Sequence, residues 1–60
     1  MDKVDLQATI AFEQALRFDE HSDTLFARAT VYQNYGWHDA AKGTFYAAER
    51  LRKVEAGMAR

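Results

Sequence analysis

The chain has no cysteine and no proline, and only three glycines and two histidines among its 60 residues. The first absence removes disulfide staples, thiolate metal ligands and a thiol nucleophile at once. The second leaves no residue that forces a helix to stop. No apolar run approaches the ~18 residues needed to cross a bilayer, and Met1 to Leu6 lacks the basic-then-apolar layout of a signal peptide. A soluble, cytosolic protein with no membrane partner is therefore expected. The formal net charge of −1 exerts no long-range pull toward nucleic acid or anionic lipid. Arg50, Arg52, Lys53 and Arg60 make the C-terminal end locally basic, which reads as a solvated helix end complementing the helix dipole.

Eleven alanines and a hydrophobic fraction of 48% spread through the sequence favour helices over strands or disorder. One domain at most fits this length, and a domain so small buries only ~60% of the surface its unfolded chain exposes. With disulfides excluded and histidines scarce, association with another chain is the remaining way to gain stability.

The apolar periodicity predicts three helices, over residues 3–18, 23–35 and 38–56. In the first, Val4, Ala8, Ala11, Ala15 and Phe18 form one stripe, which Phe12 and Leu16 widen. Asp19 to Asp23 breaks the pattern, and Ser22 or Asp23 can cap the second helix, which carries Leu25, Ala29 and Tyr32 on one face with Phe26 and Tyr35 beside it. Gly36 ends that helix. In the third, Ala40, Ala41, Thr44, Ala47, Ala48, Leu51 and Val54 face inward, Gly57 supplies a stop, and Met58 to Arg60 should fray. Linkers of a few residues make successive helices antiparallel neighbours. The expected fold is all-α, three antiparallel helices.

The chain also repeats itself. Ala8, Phe12, Ala15 and Arg17 recur 33 residues later as Ala41, Phe45, Ala48 and Arg50, and Phe18 corresponds to Leu51. Helices one and three are thus one element used twice, with small residues that admit a neighbouring backbone and an aromatic ring that fills the space between helices.

The series Leu25, Ala29, Tyr32, Gly36, Ala41, Phe45, Ala48, Leu51 resembles the spaced pattern of a tetratricopeptide repeat, a helix–turn–helix unit of 34 residues. The segment from Ala15 to Asp19 is similar to the end of a preceding repeat, so the likeness spans about residues 4 to 54 and one and a half repeats. The sequence departs from the family pattern in lacking the closing proline, with Glu20 and Lys53 near those places, and in placing Arg28 where an aliphatic residue is usual. The resemblance implies a helix pair plus one extra helix that lacks its own preceding partner. It places Trp37, Tyr32, Tyr35 and Tyr46 with the family's core aromatics. It also implies a ligand-facing surface on the second helix, made of Asp23, Phe26, Thr30, Gln33 and Asn34. No Lys or Arg is among these five, which disfavours capture of a terminal carboxylate and favours an apolar segment laid across Phe26.

Leu6 and Ile10 fall away from the first helix's main stripe and form a second apolar face, suited to another helix. No catalytic, cofactor or metal motif is present. There is no Gly-rich phosphate loop, no paired-His zinc motif and no acidic calcium loop, and His21 and His38 stand near opposite ends of helix two. Glu13, Asp19, Glu20 and Asp23 have no evident cleft to desolvate them. The expectation is a non-enzymatic interaction module, of adaptor or chaperone-like type, that binds no cofactor and no nucleic acid. It would hold a protein or peptide helix, or an extended apolar segment, and form a homo- or hetero-oligomer. The alternative is a structural three-helix subunit or a fragment of a larger helical assembly.

Overall fold

The computed structural model describes residues 2–58 and is all-α, with helices α1 (Lys3–Arg17), α2 (Ser22–Asn34) and α3 (His38–Met58). Local chemistry fixes most of the boundaries. The Asp2 carboxylate accepts a hydrogen bond from the Asp5 N–H at 2.8 Å and so caps α1. At the other end the Glu20 N–H donates to the Ala15 carbonyl at 2.8 Å, while Asp19 takes the left-handed conformation at φ 54°. Asp tolerates that conformation better than most residues. α2 closes the same way, with Gly36 at φ 81°, its N–H on the Gln33 carbonyl and the Trp37 N–H on the Tyr32 carbonyl.

α3 is the hub. It packs against both α1 and α2, whereas α1 and α2 scarcely touch. Thus the successive helices are antiparallel, but the first two are not packed neighbours. Beside Gly43 lie Val4, Gln7 and Ala8, and further along Arg50 stacks on Phe12, so α1 and α3 run parallel. Ser22 meets Glu55, Phe26 meets Phe45, and Tyr32 meets Trp37, so α2 runs the opposite way. A Cβ on Gly43 would come within 2.5 Å of the Gln7 Cβ and 2.7 Å of the Ala8 nitrogen. The absence of that carbon lets α1 lie directly on α3.

The core is small in both senses. It comprises Ala11, Ala15, Leu25, Ala47, Ala48 and Leu51, with Phe12 and Phe26 packed at its margin. Among the described residues Leu25 is the one large side chain wholly buried. Other expected inward residues lie elsewhere. Phe18 is 64% exposed because α1 stops at Arg17 and Phe18 turns outward as its cap, and Leu16, 54% exposed, lies about 120° round α1 from the Ala11 and Ala15 face. Val54 sits at the rim of α3. Tyr35 and Trp37 are largely exposed, stacked on each other at 5.1 Å over the turn instead of in the core. Gly57 does not stop α3, which continues through Met58: the glycine lacks the positive φ that a terminating cap uses. The remaining expected frayed residues, 59 and 60, lie outside the described residues.

The start of α2 is held from across the fold. His21, not Ser22 or Asp23, occupies the cap position and makes no side-chain cap bond. Ser22 is the first helical residue and is buried. Its hydroxyl donates to Glu55 Oε1 at 2.6 Å and its N–H to Glu55 Oε2 at 2.9 Å. These bonds, the hydroxyl's first, hold the Glu55 carboxyl below its ordinary value of 4.5, with the His21 imidazole adding a smaller pull. The unfolded chain therefore binds that proton at higher pH than the folded one. The stabilisation is present above about pH 4.5 and is lost as pH falls through the lower folded value. Melting temperature followed from about pH 7 to about pH 3 should fall more steeply for the wild type than for Glu55→Gln. Parallel curves would show that Glu55 carries no such linkage.

Candidate interaction surface

On α1 the buried face centres on Ala11 and Ala15, with Val4 between them in angle. At about 100° per residue, Leu6 lies about 160° and Ile10 about 120° from that centre. The two are 47% and 48% exposed, one turn apart. A shallow depression begins at Ile10 and continues along Glu13, Gln14, Arg17 and Phe18. This face points away from α3.

The five residues expected on α2 share one flank of that helix. Asp23, Thr30, Gln33 and Asn34 are exposed, and the Thr30 hydroxyl turns back to the Phe26 carbonyl at 3.0 Å. Phe26 itself is half-buried. Its ring tilts against Phe45 with centroids 6.1 Å apart, and the Arg52 guanidinium lies 4.5 Å above it. Arg50 covers Phe12 in the same manner at 4.4 Å. The basic end of α3 is thus not simply solvated, since two of its arginines roof aromatic rings. Arg60 lies outside the described residues. A segment crossing Phe26 would also meet Arg52, a residue that periodicity alone does not connect with α2.

A second groove runs between the C-terminal halves of α1 and α3. Ala15, Leu16, Leu51, Val54 and Met58 form its floor and sides, and Asp19, Glu20, His21 and Glu55 its rim. Two of the rim carboxylates are already engaged: Glu55 with Ser22, and Glu20 with Arg28 at 2.9 Å. The sequence reading missed this groove, although Leu51, Val54 and Met58 at three- and four-residue steps carried the signal for it.

Among the described residues, no three His, Cys, Asp or Glu side chains gather in a group able to hold a metal ion, and every buried side-chain polar atom has a hydrogen-bond partner. No helix among them is long and apolar enough to cross a membrane. Comparison with protein-family models, with curated proteins and with solved structures finds no match.

Proposed function

We propose that the chain is a small protein-interaction module. It holds a helical or extended apolar segment of another protein and associates with copies of itself through α1. The observation that carries this reading is the imbalance between core and surface. Among the described residues only two large aliphatic side chains, Leu25 and Leu51, are buried, while ten large apolar ones stand between 37% and 79% exposed. Scattered exposed apolar groups are ordinary, but such a surplus on so small a chain is unfavourable in water unless something covers it.

The reading takes the helix pair α2 and α3 as a unit of tetratricopeptide type, and α1 as the second helix of a preceding unit. Two features support it. α1 and α2 scarcely touch, so the helices leave an open end where a closed bundle would have none. Two of the residues that depart from the repeat pattern, Glu20 and Arg28, also meet each other in an ion pair that ties the inter-helix turn to α2. A chaperone-like or adaptor role, exercised in the cytoplasm, follows from the same reading.

The test is a selection of amphipathic helical and extended peptides on the purified chain, followed by calorimetric titration of the best binder. Micromolar binding with a negative heat-capacity change is expected. It should weaken at least about tenfold on Gln33→Glu with Asn34→Asp or on Leu6→Glu with Ile10→Glu, according to the face used. Failure of every peptide to bind tighter than about millimolar would remove the partner-holding half of the reading.

A further inference from the structure

We infer that α1 pairs with α1 of a second copy in an antiparallel, two-fold seam, with Leu6 against Ile10 and Lys3 against Glu13 of the other chain. The inference deepens the self-association part of the proposed function and rests on it.

The outer face of α1 carries Lys3, Leu6, Ile10, Glu13 and Arg17, all exposed. Their steps of three, four, three and four residues are the seam spacing of two helices packed side by side. Within the chain, among the described residues, no ion pair engages Lys3, Glu13 or Arg17. Their order along the seam selects the orientation. In a parallel pair each residue meets its own copy, so Lys3 faces Lys3, Glu13 faces Glu13 and Arg17 faces Arg17. Every charged layer is then repulsive.

An antiparallel pair with its two-fold axis at the level of residue 8 reverses this. Leu6 meets Ile10 twice, forming a four-residue apolar centre, and Lys3 meets Glu13 twice, closing it at both ends. A two-fold contact requires this reciprocity, in which residue i meets j and j meets i. Arg17 falls past the start of the opposite helix and takes no part. α1 is about 22 Å long. Such a seam lies at or below the ~1,200 Å² of a specific interface, so the dimer is weak, with a dissociation constant in the micromolar range.

Sedimentation equilibrium at low salt tests the pairing. The wild type should show a reversible monomer–dimer equilibrium. Lys3→Glu alone and Glu13→Lys alone should each weaken it at least about tenfold, since two attractive contacts become repulsive. An equimolar mixture of the two variants should recover association, because each seam end then carries one Glu and one Lys, and the double exchange in one chain should recover it too. Circular dichroism should show helicity unchanged, as both residues are exposed. A wild type monomeric at several hundred micromolar, or one growing beyond a dimer, would overturn the seam. The monomeric result would remove self-association from the proposed function while leaving peptide capture standing. Dimerisation that ignores the charge exchange would overturn the antiparallel register alone.

Discussion

Gly43→Ala should loosen the contact between α1 and α3 and lower the stability of the whole chain. The new methyl carbon would lie 2.5 Å from the Gln7 Cβ, 2.7 Å from the Ala8 nitrogen and 2.8 Å from the Val4 carbonyl oxygen. Two of these three are backbone atoms of a regular helix, which cannot move aside singly, so α1 as a unit must shift. Overpacking of this kind costs about 1–3 kcal/mol, and the backbone character of the clash puts it at the upper end. The better helix propensity of alanine returns up to about 1 kcal/mol. A net loss of about 2 kcal/mol, on the order of 10 °C in melting temperature for a domain of this size, is expected. Gly57→Ala is the control on the same helix. Nothing lies within 4 Å of a Cβ there, so the same substitution should be neutral or stabilising. If both variants melted alike in thermal and urea unfolding, the close approach of α1 to Gly43 would be wrong.

Leu25→Ala should be at least as damaging. Among the described residues Leu25 is the only large side chain wholly buried, and four of its core companions, Ala11, Ala15, Ala47 and Ala48, are too short to swing into a vacated space, which leaves Leu51, Phe12 and Phe26 to do so. Most of the wall around the cavity is therefore fixed. Loss of a buried leucine costs about 2–5 kcal/mol, and a site walled mainly by alanines belongs to the upper half of that range. The total stability of a 60-residue domain is only about 3–9 kcal/mol, so the variant should be largely unfolded at physiological temperature. Leu16→Ala, at an exposed site on α1, should change urea stability by no more than about 0.5 kcal/mol. Comparable losses from the two leucines would refute the placement of the core around Leu25.

The exposure of Leu6 and Ile10 was legible in the sequence. The angular displacement of Leu6 and Ile10 from the Ala11 and Ala15 stripe is a property of one helix, and the structure places both on its outer side. The flank of α2 that carries Asp23, Thr30, Gln33 and Asn34 was implied by the resemblance to the repeat pattern, and all four are exposed. What could not be read was the company of Phe26. Arg52 lies 26 positions further on, and only the antiparallel pairing of α2 with α3 sets its guanidinium on that ring. The exposure of Phe18 was hidden for a related reason. The 33-residue echo equates it with Leu51, which is buried, but α1 ends one residue before Phe18 whereas α3 runs on past Leu51.

The sequence by itself determined three helices, the breaks between them and the all-α class. Those depend on interactions within a few residues: the Asp2 cap, the left-handed turns at Asp19 and Gly36, and the alanine-rich periodicity. Tertiary structure alone decided that α3 is the hub, that Glu55 holds the start of α2, and that Gly43 is a contact point instead of a weak spot in a helix. The last two set a residue against atoms more than 30 positions away. Helical periodicity records which side of a helix is apolar. It does not record which neighbour covers that side, or how closely two backbones approach.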